Sequence, residues 1–271
     1  MREPVIAFDQ VSKSYPLYTH VSGIKRVLFN LSQNLKAFQA AQFNALKDIS
    51  FEVHEGEQFG IIGRNGAGKS TTLMLMAGVL RPNSGRIIVR GRVSPLLALG
   101  AGFHPDLTGR ENIVFNGVLM GLTRREVLAR LDEIVEFAEL GEFIDQSVRF
   151  YSSGMLARLG FSVVAHLDPE ILLIDEVLGV GDIRFRQKCV KKILDFKQKS
   201  VTMVLVTHSV ESVISLCDRA LWIENHVVKM LGPSEAVANA YCEDAGMGRT
   251  GKNKGKNKDI LDDMAIEAPS I

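Results

Sequence analysis

The chain lacks the features of a membrane-spanning, secreted or strongly basic protein. None of its apolar runs approaches the ~20 residues that a transmembrane helix needs, and residues 1–4 do not open an apolar signal sequence. Its 32 Lys and Arg nearly balance its 31 Asp and Glu, so the net charge is +1 and no nucleic-acid partner is expected. These absences favour a cytoplasmic protein, in which 271 residues suffice for one large domain or two small ones.

Cysteine is also scarce. Cys189, Cys217 and Cys242 are scattered, odd in number and without the spacing of metal ligands. This pattern excludes a disulfide framework and a zinc site, and it favours reduced thiols that are mostly buried.

The clearest motif is the glycine-rich stretch Gly-Arg-Asn-Gly-Ala-Gly-Lys-Ser at residues 63–70. It fits the phosphate-binding pattern G-x-x-x-x-G-K-[ST]. A short apolar run at 59–62 precedes it, and residues 71–80 follow with helical spacing. The loop should therefore join a buried strand to a helix N-terminus, where backbone N–H groups and the helix dipole favour an anion. The alternative, a glycine-rich turn with a surface lysine, does not explain the complete motif in this context.

The loop residues have separate predicted roles toward ATP and Mg²⁺. Gly66 and Gly68 let the backbone curve around phosphate oxygens. Lys69 neutralises the β- and γ-phosphates, and the Ser70 hydroxyl binds Mg²⁺. The whole predicted nucleotide-binding set of this loop is Gly63, Arg64, Asn65, Gly66, Ala67, Gly68, Lys69, Ser70 and Thr71.

A second motif is the acidic pair Asp175-Glu176 at the end of the apolar run 171–174. A carboxylate at the end of a buried parallel strand is costly unless it meets a cation. We expect Asp175 to bind Mg²⁺ through water and Glu176 to polarise the attacking water as a general base. A surface acidic pair is the alternative for such a sequence alone, and the phosphate-binding loop upstream argues against it.

Several other segments occur in the order of one known family. They are residues 11–15 with Tyr15, residues 45–53, residues 82–87, the phrase Tyr151-Ser152-Ser153-Gly154-Met155, Asp182 and His208. Together with the two motifs above, they make the sequence resemble ATP-binding-cassette (ABC) transporter ATPases over nearly all of its length. The resemblance implies an α/β P-loop NTPase fold with a central mixed sheet, an antiparallel β subdomain and an inserted helical subdomain.

The resemblance also implies roles for these residues. Tyr15 corresponds to the aromatic residue that stacks on adenine, and His208 to the histidine that contacts the γ-phosphate. Asp182 corresponds to the aspartate of the D-loop. The signature residues Ser152, Ser153 and Gly154 are expected to open a helix and to bind the ATP of a second copy, which implies a homodimer.

Two departures from the family pattern bear on coupling to the membrane. Ser153 and Met155 replace the glycine and glutamine of the usual Leu-Ser-Gly-Gly-Gln signature. No glutamine occurs between residues 85 and 111, where the family normally couples the nucleotide to the membrane subunit. His104 is the nearest polar substitute. Both interpretations of His104, a coupling residue and a plain loop histidine before Pro105, stay open.

The stretches 94–112, 151–155 and 177–182 resemble ATPases that export O-antigen, capsule or teichoic acid. That resemblance implies a separately encoded membrane permease and a peripheral position on the cytoplasmic face of the inner membrane. Two other classes of ABC protein fit the sequence less well. A soluble ABC ATPase of DNA repair or translation would carry long coiled coils or a second P-loop, and a catalytically dead regulatory subunit would not retain Glu176 and His208.

The predicted organisation is a nucleotide-binding domain at 1–245, with a helical subdomain at about 109–168, followed by a disordered polar tail at 246–271. Helical spacing predicts an amphipathic segment at about 18–44. It packs either on its own sheet or against the membrane partner and lipid headgroups. Thr123 and Glu126 predict a capping box inside the helical subdomain.

Overall fold

The computed structural model describes residues 3–17, 42–96, 102–175 and 182–246. The predicted general base Glu176, the tail from residue 247 and most of the predicted amphipathic segment lie outside these ranges. Residues 42–44, which the prediction placed in that segment, belong to a β-strand instead.

A three-stranded antiparallel sheet forms one side of the molecule, in the order β2-β1-β4. Its strands are β1 (Pro4–Pro16), β2 (Gln42–His54) and β4 (Ser84–Val89). Phe8 of β1 pairs with Phe51 of β2, and their rings stack with centroids 4.6 Å apart. Buried side chains of this sheet join the core beneath the central sheet, which fixes the position of β1 and β2 beside the glycine-rich loop.

The central sheet has the order β5-β6-β7-β3-β8-β9. The strands are β3 (Gln58–Ile62), β5 (Val93–Leu96), β6 (Ile171–Ile174), β7 (Thr202–Thr207), β8 (Arg219–Glu224) and β9 (Val227–Pro233). All neighbours pair in parallel except β8 and β9, which are antiparallel. Every residue of β3, β6 and β7 is buried, as expected for strands covered on both faces.

Helices cover this sheet and form the inserted subdomain. Those on the sheet are α1 (Lys69–Met76), α6 (Ile183–Gln198), α7 (Val210–Leu216) and α8 (Ser234–Asp244). Those of the helical subdomain are α2 (Gly109–Leu119), α3 (Arg124–Ala129), α4 (Leu131–Ala138) and α5 (Ser153–Ala165), with 3₁₀ turns at Gly141–Asp145 and Val148–Phe150. Within the described ranges, every helix is too short or too polar to span a bilayer.

Hydrogen bonds at two helix starts organise the subdomain. The capping box of Thr123 and Glu126 is present as predicted, and Thr108 and Glu111 form a second one at the start of α2. Helix α5 then contributes to two cores. Leu159 and Val163 are buried within the subdomain, whereas Phe161 packs with residues of the central sheet. The helix that carries the signature is thereby attached to the sheet that carries the P-loop.

The cysteines behave as predicted. Cys189, Cys217 and Cys242 are free and buried. Burial raises the pKa of both Cys189 and Cys217 to about 12.

Candidate active site

The glycine-rich loop leaves β3 and ends at the first turn of α1. Gly66 and Gly68 have φ angles of 81° and 109°, in the left-handed region that glycine adopts at least cost. Gly68 also lies close to β2, because a Cβ atom there would be 2.5 Å from the carbonyl oxygen of Ala45. The loop therefore has a fixed curvature, and it leads into a helix N-terminus of the kind that is suited to an anion.

Lys69 is held against this loop. Its side chain is buried, and Nζ donates to the carbonyl oxygens of Gly63 at 2.8 Å and Arg64 at 3.3 Å. Ser70 is exposed on the next position of α1, so its hydroxyl is accessible to a ligand. Thr72, which the motif does not include, is fully buried and donates its hydroxyl to the Gly68 carbonyl at 3.0 Å. The Lys69 ammonium and the Ser70 hydroxyl thus both lie at the start of α1.

The parallel strands bring two further predicted residues to the same edge of the sheet. Asp175 directly follows β6, and His208 directly follows β7. Ile62 pairs with Thr207, and Ile174 pairs with Leu205. Because neighbouring strands lie about 4.8 Å apart, the loop, His208 and Asp175 lie side by side along the carboxyl ends of β3, β7 and β6.

These groups fit a magnesium nucleotide. The Ser70 hydroxyl and the half-buried Asp175 carboxylate are oxygen donors of the kind Mg²⁺ prefers, together with phosphate oxygens and water. Among the described residues, no group of three or more His, Cys, Asp or Glu side chains forms a metal cage.

Tyr15 lies near the end of β1, close to the same loop. Its ring is half-buried, and the Lys13 ammonium lies 5.4 Å from the ring centroid. Tyr15 pairs with Phe43 on the neighbouring strand β2. Ala45, two residues further along β2, is the residue whose carbonyl oxygen lies next to Gly68. Strand pairing thus places Tyr15 opposite the part of β2 that leads to the loop, and its predicted stacking on adenine stays a prediction.

The signature residues begin helix α5, on the helical subdomain. The Ser152 hydroxyl caps the helix by accepting from the Met155 N–H at 3.2 Å. Ser153 is exposed, and Gly154 is half-buried. Tyr151 is buried and donates its hydroxyl to the Phe143 carbonyl at 2.6 Å, which fixes the entry to the helix. The N-terminus of a 13-residue helix is thus presented at the surface, where its dipole favours an anion.

Asp182 caps helix α6. Its Oδ1 atom accepts from the Phe185 N–H at 2.9 Å, and Oδ2 lies 3.4 Å from Nη1 of Arg158 on α5. The backbone hydrogen bond from Phe185, followed by the charge of Arg158, lowers the pKa of the Asp182 carboxyl. Sequence reasoning singled out Asp182 but missed Arg158.

Comparison with known proteins decides the family. Residues 46–179 match the ABC transporter family. The chain is 52% identical over 240 residues to the O-antigen export system ATP-binding protein RfbB of Klebsiella pneumoniae, covering 88% of this chain and 98% of that protein. This chain belongs to the ABC transporter family. It is an ATP-binding subunit with ATPase activity, as the resemblance implied.

Two other ABC proteins extend the comparison. The teichoic acids export ATP-binding protein TagH of Listeria innocua is 43% identical over 239 residues, covering 88% of this chain and 70% of that protein. A solved dimeric structure of the ATP-binding cassette MJ0796, bound to ADP and Pi, superposes with a TM-score of 0.66 at 20% identity, over 84% of this chain and 98% of that one. The latter confirms the ABC fold predicted from the sequence.

In this ABC protein, His104 is part of a turn. Its backbone N–H donates to Oδ1 of Asn112 at 2.7 Å, and its carbonyl oxygen accepts from Nδ2 of the same side chain at 3.1 Å. The ring nitrogen Nδ1 accepts from the Asp106 N–H at 3.3 Å. The buried Asn112 therefore anchors the loop, and the exposed imidazole of His104 closes the turn before α2. The predicted coupling role stays a prediction.

Proposed function

We propose that this chain is the ATP-hydrolysing subunit of an ABC transporter that exports a lipid-linked cell-surface polysaccharide, O-antigen or capsule, across the bacterial inner membrane. The observation that carries the proposal is the alignment of the glycine-rich loop, Asp175 and His208 along one sheet edge, in a chain with 52% identity to nearly the whole of an O-antigen export ATP-binding protein. Identity of that extent favours a shared substrate class as well as a shared fold.

The proposed chemistry assigns one task to each group along the sheet edge. The backbone N–H groups of residues 63–71 and the Lys69 ammonium hold the phosphates, and Tyr15 stacks on adenine. Ser70 and Asp175 hold Mg²⁺, which neutralises phosphate charge when bound. Glu176 accepts a proton from the attacking water, and His208 contacts the γ-phosphate.

The site is completed by a second copy of the chain. Ser152, Ser153, Gly154 and Asp182 are proposed to face the nucleotide of the other subunit, so that ATP lies between two copies. The support is the presentation of a capped helix N-terminus on a subdomain separate from the P-loop. A permease encoded separately would form the pore, with the homodimer peripheral on its cytoplasmic face.

A teichoic-acid exporter is the second candidate, because TagH of Listeria innocua matches across 88% of this chain. The two candidates differ in the polymer and not in the ATPase chemistry. Expression with the cognate permease in one strain that lacks its O-antigen export ATPase, and in another that lacks its teichoic-acid export ATPase, separates them. Restoration of O-antigen at the surface supports the first candidate, and restoration of teichoic acid alone supports the second.

ATP hydrolysis by purified protein tests the enzymatic part. Replacing Glu176 with Gln should lower turnover by about two to four orders of magnitude, the range for a lost general base, while ATP binding persists. Gel filtration with ATP and Mg²⁺ should then show a dimer that wild type does not accumulate, and EDTA should abolish hydrolysis by wild type. Equal turnover of the two proteins would remove Glu176 from the mechanism.

A further inference from the structure

Arg158 lies at a junction of the two subdomains. It follows the signature by one to two turns of α5, and its side chain is only 19% exposed. Its Nη2 atom donates to Oε2 of Glu139 at 2.8 Å, and its Nη1 atom lies 3.4 Å from Oδ2 of Asp182. One guanidinium group therefore contacts the end of α4 and the start of α6 from α5.

Three further contacts hold this junction. Lys188 of α6 donates to the other oxygen of Glu139, Oε1, at 2.6 Å and to the Phe137 carbonyl at 3.0 Å. Arg158 also covers the Phe185 ring, with its Cζ atom 4.8 Å from the ring centroid. Glu139 itself ends α4 in a left-handed conformation, with φ of 51°, which non-glycine residues adopt at some cost. The network is thus more extensive than an isolated surface ion pair.

The two helices joined by Arg158 begin at functional positions. Helix α5 starts at the signature, with Ser152 as its cap, and α6 starts at Asp182, whose carboxylate both caps the helix and faces Arg158. Because helices are stiff over one or two turns, a contact at Arg158 restricts how the N-terminus of α5 can move relative to Asp182. Arginine suits this task, since its planar fork can bond two carboxylates at once, whereas lysine offers a single point charge.

We propose that Arg158 is a positioning residue for the shared ATP site, and that it fixes the signature residues 152–154 and Asp182 relative to each other so that they reach the second subunit's nucleotide as one unit. The inference rests on the proposed function. It adds that the two segments act together and that a residue remote from the P-loop controls their alignment.

Purified Arg158→Ala, Arg158→Lys and a matched control, Arg110→Ala, test this proposal. Arg110 also forms an ion pair with an aspartate, Asp145 at 2.9 Å, but within the helical subdomain alone. Arg158→Ala should bind a fluorescent ATP analogue as monomer within about twofold of wild type, yet its kcat should fall about tenfold, because only the composite site is misaligned. In a Glu176→Gln background it should also weaken the ATP-dependent dimer. Arg158→Lys should recover part of kcat, and Arg110→Ala should match wild type.

A double-mutant cycle separates positioning from general stability. Asp182→Asn retains a cap acceptor but loses the charge that faces Arg158. If Arg158 acts through Asp182, adding Arg158→Ala to Asp182→Asn should lower kcat by less than about twofold more, because coupled residues are not additive. The inference would be overturned if the double variant lost kcat by the product of the two single losses, or if Arg158→Ala were as active as Arg110→Ala. Lack of hydrolysis by wild type would instead contradict the proposed function.

Discussion

Gly63 lies so close to Ile223 that a Cβ atom on Gly63 would be 2.2 Å from the carbonyl oxygen of Ile223. Gly63 is the first residue of the glycine-rich loop, and Ile223 lies in the neighbouring strand β8. The loop consequently leaves the sheet in contact with the backbone of β8, and no rearrangement of a side chain can make room there. Packing thus requires a glycine at the first position of the motif, whereas the φ angles favour glycine at Gly66 and Gly68.

Replacing Gly63 with Ala should therefore lower stability by about 1–3 kcal/mol, the usual cost of overpacking, and should weaken ATP binding because the loop is displaced. Thermal unfolding and ATP titration measure the two effects. Gly232→Ala is the control, since the nearest atom to a Cβ at Gly232 is 4.0 Å away, and it should unfold close to wild type. Equal melting temperatures for the two variants would show that the loop tolerates a Cβ at Gly63.

The loop could be predicted because its signals are local. Glycine spacing, a short apolar strand before it and helical periodicity after it all lie within about 20 residues of sequence. The contact of Gly63 with Ile223 could not be predicted, because the order of the strands in the sheet decides which distant segment of backbone lies next to the loop. The same holds for Arg158 and Asp182, which only the packing of α5 against α6 brings together.

At the boundary of the predicted amphipathic segment, by contrast, a local pattern led to a wrong assignment. The predicted segment was bounded at about residue 44, but residues 42–44 pair with β1 as the start of β2. Cross-strand pairing with residues 14–16 overrides the local pattern there. The family resemblance was the stronger guide to the fold, because it rested on motifs in order along the whole chain.

His166 should make the protein less stable in mild acid. Its ring packs against Phe137 with centroids 5.1 Å apart, and its Nδ1 atom lies 2.8 Å from the Ser162 carbonyl. Burial lowers the pKa of this imidazole below its ordinary value of 6.5. The unfolded chain therefore binds a proton at a pH where the folded chain does not, so stability is intact above about pH 6.5 and falls as the pH drops below it.

The urea midpoint should consequently be lower at about pH 5.5 than at about pH 7.5. His166→Gln has no charge to gain at either pH and should lose part of this difference. The comparison is made between pH values for each protein, so a general loss of stability in the variant does not affect it. An identical pH dependence in both proteins would assign the acid sensitivity to other groups.

Mixing two inactive variants tests whether the ATP site is shared. Ser152→Arg places a bulky cation at the N-terminus of α5, so it should abolish hydrolysis while its own intact P-loop still binds ATP as monomer. Lys69→Ala should lose its own phosphate contacts but keep an intact signature. A mixture of the two should regain activity, because one composite site per mixed dimer combines the P-loop of the first with the signature of the second. Weak ATP binding by Ser152→Arg alone would argue that the site lies within one chain.

His104 offers the sharpest test of coupling, because a structural role and a coupling role predict that different substitutions at this position will restore export. The imidazole accepts a hydrogen bond from the Asp106 N–H, a role that an asparagine side chain can also fill in a turn. A coupling role instead needs reach toward the nucleotide, which glutamine provides in the wider family. We expect His104→Ala to retain ATP binding and basal hydrolysis in the isolated subunit, and to reduce polysaccharide export in cells that carry the permease.

His104→Gln should then recover much of the export, and His104→Asn should not. Surface polymer, measured per cell at equal protein levels, distinguishes the possible results. Recovery by His104→Asn alone would mean that the residue serves only to close the turn before α2. Normal export by His104→Ala would exclude both roles, and coupling would then run through another part of the chain between β5 and α2. Loss of export with recovery by His104→Gln alone is the result that the coupling hypothesis requires, since both side chains end in an amide and only the longer reach of glutamine distinguishes that variant from His104→Asn.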